Sequence, residues 1–181
     1  TNTEISLIHA GKIASTSCPS GPALEGGHIS CGMRAADGAI ERVTIDNGHL
    51  AVRTIGNIEP VGLCGSGVLD TLSVLRRLGI VNARGQLASG HPDVVESEGK
   101  RAAVLAPGVH FSQHDVRAVQ LAKAAIRTGV DMLLRVRGVR EHELLQRAAG
   151  RALQKARHKA EGLGQQLADA GRAAALREQA D

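Results

Sequence analysis

Hydrophobic and polar residues alternate at the very start of the chain, which is the pattern of half-buried β-strands. Residues 4–9 (E-I-S-L-I-H) predict a short strand. The dipeptide Gly11-Lys12 predicts a hairpin turn, and residues 13–16 predict the second strand of that hairpin. The N-terminal segment is therefore predicted to be a β-hairpin.

A second alternating stretch follows at residues 39–46 (A-I-E-R-V-T-I-D). Asn47-Gly48 comes directly after it and is a strong signal for a two-residue hairpin turn. Residues 50–55 then predict the returning strand, and the short apolar run at residues 61–64 (V-G-L-C) predicts a further strand. The pattern thus predicts a second hairpin with an additional strand nearby.

Apolar residues recur at helical spacing in two later segments. The first covers residues 68–78 and is followed by Gly79, a favourable helix stop. The second runs to about Val136 with a wide apolar stripe suited to packing on a sheet, and Gly138 ends it. Ser112 stands three residues before Asp115, which is close to the spacing of a capping box at the start of this helix.

Composition narrows the classes of protein to which the chain could belong. Hydrophobic residues make up 43% of its 181 residues, which is enough for a core, but Phe111 is the sole aromatic residue. The core must therefore consist of aliphatic side chains, and single-stranded nucleic-acid binding through stacked aromatics is disfavoured.

No apolar run reaches the roughly 18 residues of a membrane span, and the N-terminus lacks the features of a secretory signal. An odd number of cysteines favours a reducing, cytoplasmic location.

The net charge of +4 is concentrated at the C-terminal end. Residues 1–134 hold 12 basic and 12 acidic residues, whereas residues 135–181 hold 10 basic and 6 acidic ones. Large apolar residues are also sparse after Leu145, so residues 146–181 are predicted to form a helical or disordered Ala/Arg/Gln-rich tail. Such a tail is more often solvated than bound to nucleic acid or to an acidic partner.

The stretch from Ser17 to Arg34 (S-C-P-S-G-P-A-L-E-G-G-H-I-S-C-G-M-R) is rich in glycine and contains two cysteines. A metal site, a redox pair, a phosphate cradle or a tight structural turn would each account for it. Cys18, Cys31 and Cys64 lack the close ligand pairs of zinc or iron–sulfur sites, so they are better explained as small buried residues and no metal site is predicted. No G-x-S-x-G motif is present and the histidines are scattered, so no catalytic residue is assigned.

Three segments of the sequence point to phosphate binding, although a glycine that follows a strand more often forms only a turn. The chain begins T-N-T-E-I directly before a strand, and C-G-S-G at residues 64–67 lies between a short strand and a helix. Free amides at such a helix start attract anions. The run S-G-P-A-L-E-G-G offers further open amides together with the carboxylate of Glu25. None of the three is a G-x-x-x-x-G-K-[ST] loop, so a Walker-type NTPase is not supported.

Long strings of the sequence resemble one protein family. They are the glycine-rich stretch continued through A-A-D-G-A-I, then P-V-G-L-C-G-S-G-V-L-D, then F-S-Q-H-D-V-R-A-V-Q-L-A-K-A-A-I-R-T-G. In this order they resemble the C-terminal part of the reductive activators of corrinoid proteins. These are ferredoxin-linked ATPases of the acetate and sugar kinase, actin and chaperone (ASKHA) superfold. The resemblance covers residues 1–145.

The resemblance implies an α/β fold: a partial ribonuclease H-like lobe with a mixed sheet packed by helices. It implies ATP with Mg²⁺ as ligand and, as partner, a corrinoid protein or a corrinoid-dependent methyltransferase whose Co(II) corrinoid is returned to Co(I). The residues implied at the phosphates or Mg²⁺ are Thr1, Asn2, Thr3, Glu4, Gly65, Ser66 and Gly67. Those implied at the nucleotide cleft or the partner surface are Gly21, Glu25, Gly26, Gly27 and His28. A docking module without catalytic activity is the alternative function.

The sequence also departs from the family pattern. The phosphate-binding strand of the family reads D-I-G-T-N-x-E-I, and this chain begins at its Thr. The family's N-terminal [2Fe-2S] domain and first lobe have no counterpart, and residues 144–150 (L-L-Q-R-A-A-G) replace its adenosine-binding turn. We therefore expect a fragment truncated at both ends, with negligible ATP hydrolysis by the chain alone and a tail of divergent or frame-shifted sequence.

Overall fold

The computed structural model describes residues 1–97 and 99–146. Contacts within the chain define a first unit, residues 1–133, and a second unit, residues 134–181. The described part of the second unit includes a bond from the Val139 N–H to the Leu134 carbonyl. The predicted tail at residues 146–181 lies, apart from residue 146, outside the described residues. Within the described residues, no helix has the length and apolar character needed to cross a membrane.

The first predicted hairpin is confirmed, with a correction to its turn. Strands β1 (Thr3–His9) and β2 (Lys12–Cys18) pair antiparallel. Ala10 and Gly11 form the turn with φ of 50° and 71°, and Lys12 already lies in β2. The prediction of Gly11-Lys12 was therefore wrong by one residue. A two-residue turn of this kind needs positive φ at both positions, and glycine occupies the second of them.

The second hairpin has the predicted turn and belongs to a mixed sheet. Strands β3 (Ala39–Asp46) and β4 (His49–Thr54) pair antiparallel around Asn47-Gly48, whose φ angles are 48° and 83°. Strand β5 (Gly62–Leu63) pairs with β3 in parallel, so the strand order is β4-β3-β5. The combination of parallel and antiparallel pairing agrees with the predicted mixed sheet.

Helix α1 (Gly65–Arg77) follows β5 after a single residue, Cys64, which is its N-cap. It begins three residues before the predicted start because Gly65-Ser66-Gly67 forms its first turn and is not a preceding loop. Gly79, with φ of 75°, follows the helix as predicted. Val68 and Leu75 are fully buried in the core of the first unit.

The remaining strands form a third sheet, β6 (Val94–Ser97), β7 (Lys100–Ala106) and β8 (Val109–Ser112), in that order. Helix α2 (Gln113–Arg137) follows β8 directly, as the stripe of apolar residues predicts. Gly129 of α2 lies against the first hairpin, because a Cβ placed there would be 2.7 Å from the Ile5 side chain. Helices therefore pack against sheets, and the predicted α/β class is confirmed.

The core of the first unit joins both helices to the second and third sheets. Its fully buried members are aliphatic apart from the single aromatic residue of the chain, in agreement with the composition. The largest apolar ones are Phe111, Ile40, Leu63, Leu75, Ile80, Leu87, Val68, Val81 and Val116.

Candidate functional site

The N-terminal segment, Thr1 to Glu4, is hydrogen-bonded to the glycine-rich loop. The Gly21 N–H donates to the Thr1 carbonyl at 3.0 Å, and the hydroxyls of Thr3 and Ser20 are 2.7 Å apart. Thr1, Asn2 and Glu4 are exposed to solvent, whereas Thr3 is half-buried. The segment therefore presents polar side chains beside the loop, as a site for an anion or a hydrated cation requires.

The loop itself is a structured turn. Pro22–Glu25 forms one turn of 3-10 helix, with positive φ at Gly21 and at Gly26 on its two sides. A Cβ on Gly26 would lie 2.9 Å from the Met33 carbonyl, and one on Gly27 would lie 2.6 Å from the Pro22 side chain. These three glycines are thus required by the backbone path.

Two of the predicted site residues in the loop have side chains that are accessible to a ligand or partner. Glu25 and His28 are both exposed. His28 adopts φ of 59°, which is uncommon for a residue with a side chain and is tolerated best by short polar residues and histidine. The loop therefore fixes its backbone and offers an acidic and a basic side chain to solvent.

The first turn of α1 lies against this loop. A Cβ on Gly65 would be 2.2 Å from the Leu24 carbonyl, and one on Gly67 would be 2.0 Å from the Ile40 carbonyl of β3. Both glycines are therefore explained by close packing of the helix on its neighbours. Ser66 between them is exposed. Its hydroxyl is the exposed side-chain group of C-G-S-G and lies 3.4 Å from the Cys64 sulfur, so a ligand would replace this contact.

Helix α1 has the free amides that a phosphate group needs. The side chain of its N-cap residue, Cys64, bonds to no backbone N–H of the first turn, although its sulfur lies 3.4 Å from the Ser66 hydroxyl. Uncapped N–H groups and the helix dipole favour an anion at this end. Within the described residues, no group of three or more His, Cys, Asp or Glu side chains could hold a metal ion. The start of α1 therefore fits a phosphate group.

The glycine-rich loop contacts both of the other predicted segments, residues 1–4 and residues 65–67. It bonds to Thr1 at Gly21, and it contacts Gly65 at Leu24 and Glu25. The three segments that the sequence predicts at the site, residues 1–4, 21–28 and 65–67, are thus contiguous through the loop. Their role in binding remains a prediction.

The sequence predicts Asp115 only as part of a capping box, but this buried carboxylate also fixes the other end of the loop. Asp115, fully buried, accepts hydrogen bonds from the Ser30 N–H at 2.8 Å and from the Ser112 N–H at 2.7 Å. The Asp115 N–H donates in return to the Ser112 hydroxyl at 3.2 Å, so the predicted capping box is confirmed. The link to Ser30 had no signal in the sequence, because 85 residues separate the partners.

The hydroxyls of Ser30 and Ser112 complete a closed ring of hydrogen bonds. Ser30 donates its hydroxyl proton to Asp115 at 3.1 Å and lies 3.0 Å from the Ser112 oxygen. Because Ser30 gives its single hydroxyl proton to Asp115, Ser112 is the donor in the contact between the two serines. Both protons are used internally, and these two serines act as structural links between loop and helix α2.

The three cysteines differ in burial and in their hydrogen-bond partners. Cys18 and Cys64 are buried, and their thiols donate to the carbonyls of Thr3 and Ile40. Cys31 is half-buried, with its sulfur 3.7 Å from Nδ1 of His110. Cys18 and Cys64 therefore behave as the small buried residues that the sequence predicts, whereas Cys31 lies at a partly open position.

Comparison with known proteins identifies the family. A family described as the C-terminal domain of RACo, the ASKHA domain, matches residues 1–152. The chain belongs to this family. Membership confirms the predicted ASKHA-type fold and implies a nucleotide-binding domain of the ATPase type.

Two curated relatives have names that concern corrinoid proteins. The chain is 39% identical over 163 residues to the corrinoid activation enzyme RamQ of Eubacterium limosum. It is 25% identical over 166 residues to the [Co(II) methylated amine-specific corrinoid protein] reductase of Methanosarcina barkeri. Each alignment covers 80% of this chain, but only 27% and 29% of the respective relatives.

A solved structure gives the same assignment. The reductive activator for corrinoid,iron-sulfur protein matches with a TM-score of 0.71 and 34% sequence identity. The match covers 78% of this chain and 24% of that protein. The resemblance inferred from the sequence is therefore confirmed, and the chain spans about a quarter of the length of the proteins it matches.

Proposed function

We propose that this chain is part of an ATP-dependent reductive activator that returns the Co(II) corrinoid of a methyltransferase system to Co(I). The observation that carries the proposal is the uncapped first turn of α1 beside the structured loop, in a chain of the corrinoid-activator family. The partner is a corrinoid protein or a corrinoid-dependent methyltransferase. The activity belongs in the cytoplasm, where ATP and ferredoxin-type donors occur together.

In this proposal the described residues bind and orient the nucleotide. The N–H groups of the first turn of α1 and the Ser66 hydroxyl donate to a phosphate group. Thr1, Asn2, Thr3 and Glu4 line the phosphates or the water shell of Mg²⁺, and Gly65 and Gly67 allow the helix to approach the loop and β3. Mg-ATP, when bound, would supply free energy, and the [2Fe-2S] cluster of the family's N-terminal domain would supply the electron.

Coupling of ATP hydrolysis to electron transfer requires that the bound nucleotide changes the contacts between the activator and its corrinoid partner. A ligand shifts an equilibrium only by its difference in affinity for the two states, typically about 1–3 kcal/mol for coupled sites. The loop is suited to this role because Gly65 of α1 contacts it directly, and because Glu25 and His28 are exposed on it. A change at the start of α1 would therefore reach side chains that a partner can contact.

A docking module without catalytic activity is the second candidate. It is favoured by the packing at Gly65 and Gly67, because the Leu24 and Ile40 carbonyls account for both glycines without a nucleotide. In that case the fold would present Glu25, His28 and neighbouring residues to a corrinoid protein, and ATP would have no effect on the association.

The two functions are separated by measuring association with corrinoid proteins in the presence and absence of Mg-ATP. The chain is immobilised and offered a set of corrinoid proteins in the Co(II) state that includes a methylated amine-specific one. Retention that changes with Mg-ATP supports the activator. Retention that Mg-ATP leaves unchanged supports the docking module, and failure to retain any of them contradicts both.

A further inference from the structure

The outward face of the third sheet is apolar at its centre, although such a face is normally polar when it meets water. Alternate residues of β7 point inward, where Ala103 is fully buried and Leu105 nearly so. Val104 on the other face is 39% exposed, and Val95 on β6 is 52% exposed. Large apolar side chains therefore meet solvent on a sheet whose opposite face is core.

This face is concave. It forms a groove with a volume of about 720 Å³, here called the β7 groove. Its floor and rim consist mainly of Val95, Lys100, Ala102, Val104, Ala106 and His110. Ser30 of the loop and His114 at the start of α2 also line it. The ring of hydrogen bonds around Asp115 holds Ser30 in place.

The groove is basic at its rim. Lys100, His110 and His114 are exposed and line it, and none of the described residues that line it is an aspartate or glutamate. Arg101 also lines the groove, but its guanidinium group forms an ion pair with Glu96 at 3.3 Å and donates a hydrogen bond to the Leu87 carbonyl. Lys100 makes no ion pair with any described residue. The groove therefore combines an apolar floor with a rim that attracts negative charge.

We propose that the β7 groove binds an acidic, amphipathic segment of the corrinoid protein; the identity of this partner rests on the proposed function. Apolar side chains of the segment would cover Val95 and Val104, and its carboxylates would reach Lys100 and the two histidines. Burial of the exposed apolar area supplies affinity, and the charges supply orientation and the rate of association.

A peptide fits this groove better than a nucleic acid does. Binding of unpaired bases relies on aromatic platforms. Phe111, the sole aromatic residue, is fully buried in the core. The valines and alanines of the floor match aliphatic side chains of a protein segment instead.

The test uses the corrinoid protein that the chain retains best, with dissociation constants measured at low and moderate salt. Lys100→Glu is expected to weaken binding by about tenfold and to flatten its salt dependence, whereas Lys100→Arg keeps both. Val95→Asp is expected to weaken binding by about five- to tenfold, because it places a charge on the apolar floor. Lys12→Glu and Ile13→Asp on the first hairpin, both exposed, are the matched controls and should stay within about twofold.

The outcomes distinguish this proposal from the proposed function. If the unmodified chain binds and the Lys100 and Val95 variants bind equally well, with thermal unfolding unchanged, the groove proposal is wrong and the proposed function stands. Competition by a single-stranded oligonucleotide that depends on Lys100 would overturn the choice of a protein segment. Absence of binding by the unmodified chain contradicts both proposals.

Discussion

The Asp115 carboxylate at the start of α2 accepts the backbone N–H of Ser30 at 2.8 Å and also its hydroxyl proton. This contact joins the glycine-rich loop to a helix that lies 85 residues later in the chain. The opposite end of the loop is joined to Thr1 through Gly21. The loop is therefore held at both ends, and a buried carboxylate fixes one of them.

Asp115→Ala should be strongly destabilising. It leaves the N–H groups of Ser30 and Ser112 without their acceptor, and it removes half of the capping box. The expected loss in the free energy of unfolding is about 2–3 kcal/mol, measured by urea denaturation. Asp131→Ala, which removes an exposed ion pair with Arg127 on the same helix, should cost about 0.5 kcal/mol or less. Equal losses for the two variants would contradict the role given to Asp115.

Gly67→Ala tests the close packing of α1 on β3. The added Cβ would lie 2.0 Å from the Ile40 carbonyl oxygen, so backbone must move. We expect a loss of at least about 2 kcal/mol, although alanine favours helices more than glycine does. Ser73→Ala, at an exposed position of the same helix, is the control and should be neutral or slightly stabilising. A Gly67→Ala protein as stable as the unmodified chain would contradict the packing role given to this glycine.

The two hairpin turns provide a reciprocal test. Ala10 and Asn47 occupy the same turn position, with φ of 50° and 48°. Asparagine tolerates this conformation better than alanine does. Ala10→Asn should therefore raise the free energy of unfolding by about 0.5–1 kcal/mol, and Asn47→Ala should lower it by a similar amount. Changes of the same sign for both variants would contradict the assignment of these turns.

The cysteines should differ in their accessibility to a thiol reagent. Cys31 is half-buried, whereas Cys18 and Cys64 are buried. Native protein treated with N-ethylmaleimide should be modified at Cys31 first, and the other two should react at the rate of unfolding. Peptide mapping by mass spectrometry identifies the modified position. Early modification of Cys18 or Cys64 would show that the hairpin or the start of α1 opens readily.

The sequence predicted those parts of the fold that depend on local chemistry. The alternation of apolar and polar residues predicted β1 to β4, and Asn47-Gly48 predicted the turn of the second hairpin. The spacing of Ser112 and Asp115 predicted the start of α2. The errors are also local. Ala10 was overlooked as a turn residue because alanine rarely adopts positive φ, and the start of α1 was placed late because glycine is a poor helix former.

Contacts between distant segments had no counterpart in the sequence pattern. Neither the bond from Ser30 to Asp115 nor the groove beside Val104 has a local signature, because each depends on how separate elements come together. The predicted neighbourhood of Thr1, Glu25 and Ser66 came from the resemblance to a family. The structure explains it through contacts of the loop at Gly21 and Leu24.

The most direct test of the nucleotide site is a calorimetric titration of Mg-ATP into this chain, beside a version with Asp-Ile-Gly placed ahead of Thr1. We predict that at least one version binds Mg-ATP. Ser66→Ala should weaken this binding about tenfold, because a hydroxyl bonded to a charged phosphate contributes about 1.5–3 kcal/mol. Ser73→Ala should leave the binding unchanged. No heat of binding from either version, or equal affinity for Ser66→Ala and the unmodified chain, would contradict a nucleotide site at the start of α1.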